Sequence, residues 1–200
     1  NNIEHFVHPG LFRDLGKAKA TLELAKTAVQ LDPVDSRAHL CCGWSYVMAG
    51  REAEAAPHME LACELNDNDP WTLLSSAHYD AFCGSIGQAR LRADQSLTLS
   101  PAPSYLEWSY HSIIRFLCGD YEGAQKSLAA SLDHGQLAKT DQAVARKYLA
   151  FTHCLAARET QCTEEFRKAF EIDPAFALTP AEDGHPIWGP VYRNVRTQVI

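Results

Sequence analysis

The sequence has no apolar run near the roughly 20 residues that a membrane-spanning helix needs, and no charged-then-apolar signal segment stands at its start. Membrane insertion is not expected. It also lacks surplus basic charge: 18 Lys and Arg face 25 Asp and Glu, a net charge of −7. Without a Lys/Arg cluster it has little with which to grip a phosphate backbone, so direct nucleic-acid binding is not expected. A Gly-rich phosphate loop, a G-x-S-x-G elbow and an H-E-x-x-H helix are all missing. No stretch alternates with period two over a useful length, which excludes strands from the expectation. The seven cysteines, Cys41, Cys42, Cys63, Cys83, Cys118, Cys154 and Cys162, are odd in number and form no CxxC pair. Neither a disulfide framework nor a zinc knuckle is therefore expected. Most sit among apolar or helix-forming residues, as buried thiols do, and a reducing cytoplasm suits them. The chain opens on Asn1 and reads as part of a longer polypeptide.

What is present is a repeat. Gly16, Gly50 and Gly84 are 34 residues apart in both steps, and Gly119 follows after 35. Pro33 and Pro101 lie two such intervals apart, with Asp67 between them. The segments ATLELAKTAVQLDP, AEAAPHMELACELND, IGQARLRADQSLTLSP and CTEEFRKAFEIDP each place apolar residues at helical spacing and then stop on Asp, Ser or Pro. A first helix precedes each: SRAHLCCGWSYVMAG, PWTLLSSAHYDAFCG, YLEWSYHSIIRFLCG and the Gly-free DQAVARKYLAFTHCLAA. Small residues hold register in mid-helix at Gly43, Ala77, Ser112 and Ala150. The second helices do likewise at Ala55, Ala89 and Ala124, and at Ala28, Ala62, Ser96, Ser131 and Ala169. Small sites in register let paired helices approach closely, and a Gly between them supplies the left-handed residue that ends the first.

This pattern resembles the tetratricopeptide repeat. Gly43 and Tyr46, the Trp108 site, Gly119-Asp120-Tyr121 with Ala124, and the LDP at 31–33 fall on its marked positions. The resemblance spans about residues 11–174. It implies an all-α, right-handed superhelical solenoid of four to five helix-turn-helix hairpins with a C-terminal capping segment. The units read 1–35 (irregular, interrupted by Pro9-Gly10), 36–69, 70–103, 104–140 and 141–174, and 175–200 form a loop and a capping helix. Asp67 replaces the closing Pro of one unit, and another runs into the longer connector DHGQLAKTD. More narrowly, LDPVDSRAH leading into GW resembles the repeat regions of bacterial signalling regulators, where such an array follows a nucleotidyl cyclase or winged-helix output domain.

In that family the first helix of each hairpin lines the concave face. By register, this places Leu40, Trp44, Val47 and Met48, then Trp71, Leu74, His78 and Phe82, on the inward side. Ser109, Ile113 and Phe116 follow, then Lys147, Phe151 and Leu155. Such an apolar, aromatic trough marks a binding face. Arrays that clamp a two-carboxylate chaperone tail use Lys, Asn and Arg there; Leu40, Trp44, Leu74 and His78 replace that clamp. The expected occupant is an apolar peptide, a partner helix, an adjacent output domain, the chain's own tail, or an apolar small molecule in a sensor. A homodimer through an end hairpin is compatible with the pattern.

No chemistry competes with that reading. His39, Cys41, Cys42, His58 and Cys63 fall in one hairpin, but a metal needs three or four ligands converging on one point, and core thiols with groove or surface imidazoles explain them. His153 and Cys154 are adjacent on a helix and diverge by about 100°, so they are no nucleophile pair. Glu164 and Glu165 belong to a solvated face. No catalytic residue, metal or cofactor is assigned, and a non-enzymatic scaffold or regulatory module is expected.

Overall fold

The computed structural model describes residues 15–199; the expected Pro9-Gly10 interruption lies outside them. Among the described residues every regular element is an α-helix. The chain divides into two compact units, Asn1–Ala102 and Pro103–Ile200.

In the first unit, α1 (Leu15–Leu31), α2 (Ser36–Met48), α3 (Glu52–Leu65), α4 (Pro70–Phe82) and α5 (Ile86–Leu99) form successive antiparallel pairs. Their starts are encoded locally. Asp35 caps α2 by accepting the Arg37 N–H, and Asp69 caps α4 by accepting the Thr72 N–H, with Pro70 in the first turn. The small mid-helix residues do what their register implies: Ala55, Ala62, Ala77 and Ala89 are all fully buried. At Gly43 the approach is closest, since a Cβ there would come within 2.9 Å of Met59 Cε, itself fully buried on α3. An ion network joins three helices: buried Arg92 of α5 donates to buried Asp80 of α4 at 2.7 Å and to exposed Glu60 of α3 at 3.0 Å. Burial, with a smaller push from Glu60, raises the Asp80 carboxyl above its ordinary range; Arg92 opposes that shift.

The second unit contains α6 (Tyr105–Leu117), α7 (Tyr121–Asp133), α8 (Lys139–Leu155), α9 (Glu159–Ile172), the single turn α10 (Pro180–Asp183) and α11 (Trp188–Val199). Ser104 and Glu107 form a reciprocal capping box on α6, and Asp120 caps α7. The connector after α7 is anchored by Leu137, which packs with Leu128, Ala145 and Leu149. Helix α11 closes the last pair by burying Trp188, Tyr192 and Val195 against α8 and α9.

Four inter-helix turns share one geometry. The left-handed residue is Gly50 (φ 69°), Gly84 (φ 86°), Gly119 (φ 74°) and, in the Gly-free hairpin, Ala157 (φ 55°). In each, the residue after it donates its N–H five residues back: Arg51 to Tyr46, Ser85 to Asp80, Asp120 to Arg115 and Arg158 to His153, at 2.8–2.9 Å. This is the doubly bonded turn that closes a helix on a left-handed residue. The structure preserves it where the sequence loses its glycine.

Candidate functional site

The expected trough divides into side chains buried in the core and side chains left at the surface. In the first unit Leu40, Trp44, Leu74 and His78 are buried. Leu40 and Trp44 belong to a core with Ala55, Met59 and Ala62 of α3 and Tyr79 of α4. The Trp44 indole N–H donates to Ser75 Oγ at 2.9 Å, and its ring meets His78 at 5.0 Å. Their expected role as open groove lining is corrected: these side chains join repeat to repeat. Burial pushes the His78 imidazole down to about 4. Val47, Met48 and Trp71 are half-buried, and Phe82, at the end of α4, is 61% exposed.

In the second unit the correction is larger. Lys147 and Phe151 are buried at 6% and 2% exposure, and the cover is the chain's own C-terminal segment. Glu182 of α10 accepts from Lys147 Nζ at 2.7 Å, and Trp188 of α11 stacks on Phe151 at 4.1 Å. The two contacts are linked, because the Trp188 N–H donates to the Glu182 carbonyl at 2.8 Å. His185 stacks on Trp188 at 3.3 Å. Burial resists ionisation of Glu182, but Lys147 and the Thr179 cap outweigh it and hold the carboxyl below its ordinary range. Phe116 turns into the same aromatic cluster, against Tyr148 at 5.4 Å and Tyr121 at 5.6 Å. Ser109 shares a hydrogen bond with Ser131 at 2.8 Å. Ile113 and Leu155 are half-buried, Leu155 against this cluster. Of the occupants expected for the trough, the chain's own tail is the one found here.

No family model matches this sequence, and no curated protein matches it. Solved structures do. A chain of the APC/C hetero-tetramer Cut9–Hcn1 aligns over 93% of this chain with a TM-score of 0.67 and 14% identity. PilW, a type IV pilus biogenesis factor, aligns over 98% of this chain and 88% of its own, with a TM-score of 0.70 and 18% identity. A tetratricopeptide repeat protein from Parabacteroides merdae aligns over 94% and 67%, with a TM-score of 0.62 and 13% identity. The fold is the tetratricopeptide-repeat fold. This chain spans 36% of the Cut9–Hcn1 chain it matches.

Within that fold, two constellations escaped the sequence reading. The first is a disulfide between Cys154 of α8 and Cys162 of α9, with Cα atoms 5.2 Å apart. The expectation of unpaired thiols is corrected, and the argument from them to a reducing cytoplasm loses its premise. A signal was present. Cys162 follows its turn residue by five, as Ala55, Ala89 and Ala124 follow theirs, at the close-approach site. The other five cysteines form no disulfide. The second is a contact set in the first unit: His39 Nδ1 lies 2.9 Å from His58 Nδ1, and Cys42 Sγ lies 3.5 Å from His58 Nε2. These approach opposite sides of one imidazole, so they do not converge on a point. Among the described residues no group of three or more His, Cys, Asp or Glu is placed to hold a metal, and no helix is long and apolar enough to cross a membrane.

Proposed function

We propose that this chain is a non-catalytic protein-interaction module whose docking face lies on the first unit, where Val47, Met48, Trp71 and Phe82 remain at the surface. The observation that carries the reading is Phe82, a large apolar side chain 61% exposed at the end of a helix whose preceding register positions are buried. An exposed aromatic on the same unit as half-buried Met48 and Val47 suits an apolar peptide or the apolar face of a partner helix. The fold supports it, and one of the matched structures is a hetero-tetramer. On this reading the module works beside an output domain, as in the bacterial signalling regulators that its LDPVDSRAH phrase resembles.

Leu91 of α5 provides the control, because it is apolar and equally exposed at 61%. A photo-reactive phenylalanine at position 82 is expected to cross-link one protein partner, and the same group at 91 is not. Phe82→Ala should abolish co-purification of that partner, with Leu91→Ala retaining it. Equal labelling at both positions refutes the assignment. An adduct of small-molecule mass at 82 would replace it with a ligand-sensing role.

A further inference from the structure

The contacts among Cys42, His58 and His39 fix the position of every exchangeable hydrogen between them. His39 Nε2 lies 3.0 Å from the Pro33 carbonyl, which can only accept, so this nitrogen carries a hydrogen. A neutral imidazole carries one N–H, so His39 Nδ1 is an acceptor. His58 must then donate from Nδ1 across the 2.9 Å contact, leaving its Nε2 to accept from the Cys42 thiol at 3.5 Å. The donation runs one way, from Cys42 on α2 through His58 on α3, back to His39 on α2 and out to the Pro33 turn. Burial pushes the Cys42 thiol up, which keeps its hydrogen in place. Burial, and then His39, push the His58 imidazole down.

We propose that this relay is a proton-sensitive latch on the first unit: it accepts one proton with its ring-to-ring link intact and comes apart on the second. A proton taken up at His58 Nε2 points that nitrogen's hydrogen at the Cys42 sulfur, and a single hydrogen still bridges the two Nδ1 atoms. Every link survives except the thiol's donation, the weakest of them. A second proton leaves both Nδ1 atoms carrying hydrogen and facing each other across a hydrogen-bond distance, and no tautomer relieves that.

The surroundings offer no compensation. Tyr46 of α2 stacks on His58 at 5.6 Å, and over its ring lie Lys26 of α1 at 5.8 Å and Arg51 at 4.9 Å. Both cations already hold carboxylates, Lys26 with Glu23 at 3.0 Å and Arg51 with Glu54 at 2.8 Å. Cys41 adjoins Cys42 on α2, and Asp69 at the head of α4 is paired with Arg37 at 3.4 Å. Among the described residues no carboxylate is hydrogen-bonded to either ring. Two imidazoles coupled this strongly titrate as a pair, in two separated steps.

Nitrogen-15 NMR of the histidine-labelled chain tests this. At pH 7.5 His58 is expected as the Nδ1–H tautomer and His39 as Nε2–H. On acidification the first step should add a hydrogen at His58 Nε2 while a single hydrogen still bridges the two Nδ1 atoms. The next step should require at least ten times more acid, and amide exchange in α3 should accelerate through it. His58→Gln should leave one step where the pair gave two. Cys42→Ala should shift the first step to higher pH, because His58 Nε2 loses its donor. Two rings titrating independently, or a His58 that stays Nε2–H throughout, would overturn the proposal. If His58→Gln fails to fold, the wild-type tautomers and the Cys42→Ala titration decide it alone.

Discussion

Replacing Ala157 by glycine should stabilise the second unit, and the size of the gain should depend on the disulfide beside it. Ala157 holds φ 55°, the conformation that Gly50, Gly84 and Gly119 supply in the other turns. A left-handed L-residue costs roughly 1–2 kcal/mol, from Cβ crowding against the following carbonyl. Glycine removes that cost but loosens the unfolded chain, which returns roughly 0.4–1 kcal/mol. Ala157 is exposed, so removing its methyl vacates no core. The net gain is about 0.5–1 kcal/mol. Cys154 and Cys162 bracket the turn, and their bond already restricts the unfolded loop in which glycine would gain its freedom. The gain should therefore reach the top of that range in the oxidised protein and the bottom after reduction. Urea unfolding, followed by circular dichroism and by Trp fluorescence with and without a phosphine reductant, measures both. Gly84→Ala, at φ 86°, should lose about 1 kcal/mol in the same assay. Loss of stability in Ala157→Gly under both redox conditions would refute the account of the turn.

Other expectations follow from the same structure. Burial lowers the folded-state pKa of His78 to about 4, against about 6.5 for an unfolded histidine. Its contribution to stability is therefore complete above pH 6.5 and is lost as pH falls toward 4. The upper bound is about 3 kcal/mol, and the urea midpoint of His78→Gln should fall less steeply over that window. Alkylation of the denatured, unreduced chain should modify five cysteines and seven after reduction. The double change Cys154→Ala/Cys162→Ala should cost about 2–3 kcal/mol for so short a loop. Lys147→Ala should destabilise the second unit by about 3 kcal/mol, since it strands the Glu182 carboxylate beneath the cap. Lys147→Met with Glu182→Leu should recover most of that.

The repeat was legible because its strongest marks are backbone demands. A left-handed turn residue and a close helix approach each admit few residue types, so Gly50, Gly84 and Gly119 and the alanines five residues later keep their spacing. The trough was legible only as a direction. Register places Phe151 and Lys147 on the inward side of α8, but what covers them is fixed by where residues 179–188 return in space. Periodicity within α8 carries no trace of that return. Trp44 misled for a related reason, since a large aromatic at an inward position serves equally as lining or as a wedge between repeats. Its indole N–H found Ser75 on the next hairpin. The Cys154–Cys162 bond was written in the register, as a cysteine at an alanine site, but counting pairs and looking for CxxC passed over it.

The C-terminal helix also gives the last hairpin a closed end. Its inner side is spent on Phe166, Phe170 and Phe151, while Pro190, Arg193, Asn194, Arg196, Thr197 and Gln198 are exposed. A further hairpin, or a second copy meeting this end, would have to strip water from two guanidinium groups and two amides, with Pro190 and Val199 as the apolar surface there to offset it. Self-association through the exposed side of α11 therefore carries a desolvation cost that an apolar face would not.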